Sequence, residues 1–151
     1  PALVALRDAG NLQGIAGAYN LPASPAWTVW RTAVTKDEIM LNGFDWTRLD
    51  NLSVGKYRIW AEMFDNDIKA INPSKANVRA GIEAVWVGAA ADLAVRAVVY
   101  GHCKRPATRF ERLFSTGTGS DATPAVMAVD AAGEVIEGDI GFQVVASALQ
   151  G

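Results

Sequence analysis

Apolar residues recur along this chain mostly at three- and four-residue intervals, a spacing that predicts helices. The clearest stripe is Val78, Ile82, Val85, Trp86 and Ala89, at i, i+4, i+7, i+8 and i+11. Pro73-Ser74 precedes it, and Ser74 is placed to cap the helix. Arg79 and Glu83 stand four apart on its polar side and predict an ion pair. Gly88 marks a bend or boundary, after which AAADLAVRAVVYGHCK predicts another helix, with small residues suited to close packing.

The N-terminal segment follows the same logic. Leu3, Leu6 and Val4 give Ala2 to Ala9 one apolar face, and Gly10 stops that helix. Asn11 caps a second one carrying Leu12, Ile15, Ala16 and Tyr19. Gly14 and Gly17 weaken it by about 1 kcal/mol each against alanine, and they admit a close neighbour. LPASP breaks the pattern, because Pro22 and Pro25 lack donors and push the preceding residues toward extended geometry. AWTVWRTAV then alternates like a strand, and its candidate partners lie near the C-terminus. Thr35-Lys36-Asp37-Glu38 matches a capping box for a short helix ended by Asn42-Gly43. Asp45 to Leu49 predicts a single turn, and Asp50 or Ser53 caps a helix whose apolar face holds Val54, Tyr57, Ile59, Trp60 and Phe64.

The stretch Asn42 to Phe64 is the aromatic centre of the chain, with Phe44, Trp46, Tyr57, Trp60 and Phe64. Aromatic clusters of this kind dominate cores, and core packing is the reading adopted over a ligand surface. DNDIKAINPS is a polar loop; Asp65 and Asp67 lack the glycine and closing glutamate of a calcium loop. Beyond Lys104, Phe110, Leu113 and Phe114 dock a short helix, with Pro106 bending or restarting the chain before it. STGTGSDAT superficially resembles a phosphate loop but lacks the Gly-Lys-Ser/Thr ending, and it reads as a surface loop. Ala125 to Glu137 predicts a small hairpin about Asp130–Gly133, and a last helix turns Phe142, Val145, Ala146 and Leu149 inward. The predicted fold is mainly α, a compact multi-helix domain with a small β-hairpin near the C-terminus. One domain spans 1–151, with a helical pair at 1–20 and an extended linker at 21–34. The main helical body follows at 35–116, then loop, hairpin and C-terminal helix at 117–151.

Composition adds bounds. Half of the 151 residues are hydrophobic and a fifth charged, which suits a globular chain with a sizeable core. A net charge of −2 gives no general attraction to nucleic acid or anionic membrane. No apolar run reaches the roughly 20 residues of a membrane helix, so no membrane partner is expected. The chain opens at Pro1 with no basic-then-apolar leader; either a methionine has been removed or the gene starts further upstream.

Candidate chemistry is sparse. Cys103 is the single cysteine and His102 the single histidine; as helix neighbours they point apart, which disfavours a thiol–imidazole pair. Two such ligands make no zinc site without more, so no metal or cofactor is implied. Asp37 with Glu38, and Asp65 with Asp67, occupy capping and loop positions where paired acids are structural. No converging set of roles marks an enzyme. Lys104, Arg105, Arg109 and Arg112 form the one basic cluster, a candidate nucleic-acid contact whose plainer reading is a solvated helix end or pairing with Glu111.

Several runs also carry a resemblance. NGFDWTRLDNLSVGKYRIWAEMF, INPSKANVRAGIEAVW, ADLAVRAVVYGHCKRPATRFERLFSTGTGSDATPAVM and EGDIGFQVVASAL resemble, in the same order, segments of a largely uncharacterised group of small tailed-bacteriophage proteins. So does the opening PALVALRDAGNLQGIAGAYN, where a Pro-Ala-Leu run precedes an AG-x-x-x-x-IA element. The ending departs from the group: Gly141-Phe142 and VVASALQ replace a serine-tyrosine start and a charged helix. The resemblance implies a non-enzymatic virion structural protein, in the tail or at the head–tail junction. It would be made in the bacterial host cytoplasm and act in a symmetric assembly with copies of itself and other phage structural proteins. The apolar ending makes Phe142, Val145 and Leu149 the candidate contact with a neighbouring subunit. The alternative is a non-virion phage protein that binds nucleic acid or a host protein through a Lys104–Arg112 basic helix.

Overall fold

The computed structural model describes residues 2–65 and 68–150. In chain order its elements are α1 (Ala2–Asp8), α2 (Leu12–Asn20), β1 (Thr28–Trp30), β2 (Val34–Thr35) and α3 (Lys36–Met40). A 3-10 helix (Trp46–Asn51) and α4 (Val54–Glu62) follow, then β3 (Ala70–Ile71), α5 (Ala76–Val85) and α6 (Ala90–Cys103). The chain closes with β4 (Lys104–Pro106), α7 (Arg109–Leu113), β5 (Ser115–Thr116), β6 (Val126–Met127) and α8 (Phe142–Gln150). The protein is mainly α, about half helical, with two-stranded sheets of two or three residues per strand. The chain divides into a terminal unit, Pro1–Val29 with Pro106–Gly151, and a middle unit, Trp30–Arg105.

The middle unit is built on aromatic packing. Phe44 stacks on Trp60 at 5.8 Å between centroids, and Trp86 meets both edge-on, at 5.6 and 5.4 Å. Ile39, Ile82 and Val85 are fully buried in the same unit. The start of α3 is the expected capping box: Thr35 Oγ1 accepts from the Glu38 N–H, and the Glu38 carboxylate accepts from the Thr35 N–H at 2.8 Å. Asp45 and Ser53 cap the 3-10 helix and α4 through their side chains. Gly88, with φ +105°, separates α5 from α6. The Arg48 guanidinium ties the 3-10 helix to α6 through Asp92, at 2.6 Å.

Five expectations change in this unit. Ser74 does not cap α5, because its hydroxyl and N–H both donate to Asn72 Oδ1 and the helix begins two residues later. Arg79 donates instead to the Pro73 and Ser74 carbonyls and lies over the Trp30 ring, while Glu83 accepts from Tyr100. Within DNDIKAINPS, Ala70–Ile71 forms a strand antiparallel to Val34–Thr35, drawn in by the buried Ile71. Asp67 lies outside the described residues. Lastly, α4 buries only Trp60 of its nine residues; Val54 is 80 % exposed and Tyr57 52 %. Trp46, placed in the core by its neighbours in sequence, is also half exposed.

Glu38 gives the middle unit a pH dependence. The Thr35 N–H first, then Arg31, hold its carboxyl below the usual value near 4.5. A depressed carboxylate stabilises the fold fully above its unfolded pKa, and that contribution disappears as pH falls through the lower folded value. Glu38→Gln is therefore expected to lower the thermal midpoint at pH 7, with the gap to the parent narrowing as pH falls below about 4.5. A constant gap across that range would contradict the assignment.

The terminal unit holds two apolar clusters. One joins Val29, Ala107, Ala125 and Met127, with Trp27 and Val135 against it. Gly119, with φ +63°, lies directly under the Trp27 ring, where any Cβ would collide with the indole. STGTGSDAT is thus anchored at its middle, and the Thr28 N–H donates to the Gly119 carbonyl at 2.7 Å. The second cluster joins Ile15, Ala16 and Val145, with Leu6, Leu12, Tyr19 and Ile140 around it. Near the C-terminus, β6 pairs antiparallel with β5, Ser115 against Met127 and Thr116 against Val126. About Asp130–Gly133 a single antiparallel bridge, Val129 with Val135, stands where the hairpin is expected. Asp130 Oδ1 holds that turn by accepting from the Ala132 and Glu134 N–H groups.

Candidate functional site

The feature of the terminal unit least accounted for by its own packing is an open apolar groove of about 440 Å3. It is lined from α1, α2, α7, α8 and the segment leading into α8. Local chemistry sets each wall. Gly10, at φ +64°, ends α1, and Asn11 caps α2 by accepting from the Gly14 N–H at 2.8 Å, so the chain folds back within three residues. The missing Cβ of Gly14 leaves room for the Leu6 and Asn11 side chains. Asn20, at the end of α2, then clamps the approach to α8: its amide donates to the Ile140 carbonyl and accepts from the Ile140 N–H, at 3.0 and 2.9 Å. On the fourth side Thr108 and Glu111 form a capping box for α7.

The sequence of α8 explains why the groove stays open. At 3.6 residues per turn, Val144, Ala148, Val145, Leu149 and Phe142 fall within an arc of roughly 160°. The neighbouring helices cover only part of that arc. Val145 is buried on Ile15 and Ala16, while Val144 is 53 % and Leu149 52 % exposed. α7 has five residues, too few to close the opposite wall, and its Leu113 is 65 % exposed. Leu3 and Val4 of α1 also remain partly exposed at the rim. The polar side chains that reach the lining are Arg7, ion-paired with Asp8 at 2.8 Å, and Tyr19. Such a surface can bury apolar groups; it places no acid, base or nucleophile together.

The candidate contact residues on α8 thus separate. Val145 forms the groove floor and Leu149 its wall, while Phe142 is exposed on the same helix. The expectation that all turn inward holds for Val145, because α8 is apolar over a wider arc than its neighbours can cover. Phe110, Leu113 and Phe114 do line the groove, although Leu113 is left largely uncovered and Phe114 partly so. Leu3, Val4 and Val144 complete the rim; the wide apolar arc of α8 is the sequence signal that points to it.

The basic cluster does not form one helix. α6 ends at Cys103, and Lys104 and Arg105 lie on β4 in the middle unit. Pro106 lacks an N–H and biases Arg105 toward extended backbone, which accounts for the break. Arg109 and Arg112 lie on α7 in the terminal unit. The Arg112 guanidinium is held over the Trp27 ring at 5.0 Å and donates to the Ser24 carbonyl at 3.0 Å.

Among the described residues no group of three metal-ligating side chains gathers, and no helix is long and apolar enough to cross a membrane. His102 Nε2 lies 3.0 Å from the Asn42 carbonyl. Cys103 is buried, and burial pushes its thiol up to about 12, far from the range of a reactive thiolate. The folded protein is therefore expected to resist iodoacetamide at pH 8 and to take up one equivalent once urea unfolds it. Rapid modification without urea would place the thiol at the surface.

No family model, curated protein or solved structure matches the chain.

Proposed function

We propose that the protein is a non-enzymatic structural component of a tailed-bacteriophage particle, in the tail or at the head–tail junction. It works there as copies in a symmetric assembly, having been made in the cytoplasm of the bacterial host. The supporting observation is the uncovered apolar groove between α1, α2, α7 and α8, the kind of face that assembly buries. The resemblance of five runs of the chain to small phage proteins supplies the particle as the setting. On this reading a second copy of the chain covers the groove, whose largely apolar lining suits burial in an assembly.

A nucleic-acid contact through Lys104, Arg105, Arg109 and Arg112 is the weaker reading. The run is divided between a strand and a helix, and Arg112 is engaged with Trp27 and Ser24. Binding through phosphates would fall steeply with rising salt, so titration with duplex DNA across salt tests it. The virion reading is tested by mass spectrometry of purified particles of the phage that encodes the chain. The protein is expected among the structural components in many copies per particle, and its absence would overturn the reading.

A further inference from the structure

The two units differ in charge. The terminal unit carries seven acidic and three basic residues, a net −4, and the middle unit nine and eleven, a net +2. A contact that brought the terminal units of two copies together would set units of net −4 against each other, although the charged side chain in the groove lining itself is Arg7, paired with Asp8. A contact between the groove and the middle unit of another copy would set opposite charges together, which favours encounter and fixes register.

The middle unit offers a matching face. On α4, Val54, Tyr57, Arg58 and Ala61 stand at i, i+3, i+4 and i+7 and are all exposed. They form an apolar ridge that carries a cation. The groove is open and apolar, and the exposed Asp139 stands next to its lining residue Ile140, where it can meet the Arg58 cation. Size agrees as well. The exposed parts of Leu3, Val4, Leu113, Phe114, Val144 and Leu149 amount to apolar surface on the order of 500 Å2. A standard interface takes about 800 Å2 from each partner, with rather more than half of it apolar.

We propose that the groove of the terminal unit seats helix α4 of a second copy, in a head-to-tail contact. Each copy then offers one groove and one ridge, so the contact repeats, and it closes into a ring or runs on as a filament. This rests on reading the groove as an assembly surface and names what fills it.

The test uses the full chain with Val144→Glu on the groove and Tyr57→Glu on α4. Both positions are half exposed, and equal urea midpoints for parent and variants verify folding. Sedimentation is followed across concentration for each protein alone and for the two variants mixed in equal amounts. The parent is expected to associate beyond a dimer, and less so as salt rises. Each variant alone is expected to associate at least about tenfold more weakly. The mixture is expected to form a heterodimer and nothing larger, because one variant keeps a sound ridge and the other a sound groove. Parent-like association of Tyr57→Glu would show the groove pairing elsewhere and overturn the proposal. A mixture that stays monomeric, or one that grows beyond a dimer, would overturn it too, as would a strictly monomeric parent. Particle content is a separate readout. A monomeric parent found in purified particles removes the head-to-tail contact alone, and a ring-forming parent absent from particles removes the virion role alone.

Discussion

Trp86→Ala is expected to lower the stability of the middle unit by about 3–5 kcal/mol, the usual cost of deleting a large buried aromatic side chain. Trp86 is fully buried and meets Phe44 and Trp60 edge-on at 5.6 and 5.4 Å. Those two ring contacts contribute about 0.5–1.5 kcal/mol each beyond the area they bury. One effect opposes the loss. Among the described residues the buried indole N–H groups of Trp60 and Trp86 find no hydrogen-bond partner. An unpaired buried donor costs about 1–3 kcal/mol, so its removal returns part of what the cavity takes. The cavity wins in alanine, because the whole ring is lost. In Trp86→Phe the two effects nearly balance: the N–H disappears while most of the ring contact remains, and the expected change is about 1 kcal/mol or less. Urea midpoints followed by far-UV circular dichroism separate the cases. An alanine variant within about 1 kcal/mol of the parent would mean that Trp86 is not the centre of this core.

Local chemistry was the most legible part of this chain. Asn11, Thr35 and Ser53 sit where a side-chain oxygen meets a free N–H of the next turn, and sequence spacing alone specifies that. Gly10 and Gly88 have positive φ where the helical patterns stop. Ser74 illustrates the limit, since Asn72 competes for its hydroxyl. The two-residue pairing of Ile71 with Val34 was not legible, because nothing local selects a partner 37 positions away. Nor could periodicity show which apolar faces stay open. Val54 and Tyr57 share the helical spacing of Ile82 and Val85, yet the first pair faces outward and the second is buried. The difference lies in what packs against each helix. For the groove, the apolar character of Val145 and Leu149 could be read directly. Its openness could not, because it depends on the shortness of α7 and the reach of α1.

Sequence also offers Glu111 only as a pairing partner for nearby cations and does not show its burial: it is the fully buried charged residue among those described. Its two oxygens face different segments. Oε2 accepts from the Thr108 N–H at 2.9 Å, completing the capping box of α7, and Oε1 accepts from the Gly138 N–H at 2.8 Å. One side chain therefore holds a groove-lining helix and fastens the segment that leads into α8. Glu111→Ala strands both donors, at about 1–3 kcal/mol each, and is expected to cost about 2–5 kcal/mol in the terminal unit. Glu111→Gln keeps one acceptor and turns an amide N–H toward the other donor, so an intermediate loss is expected. The location of the damage is a further signature. Hydrogen exchange at the Gly138 and Thr108 amides should accelerate in both variants, while amides of α5 and α6 keep their protection. Unchanged exchange at Gly138 would show that this segment is held by other contacts and that Glu111 serves only its own helix. Where the loss does reach Gly138, α8 loses the fixed lead-in that sets Val144 and Leu149 at the rim. Self-association of the full chain should then weaken together with stability, although Glu111 itself lies outside the groove lining.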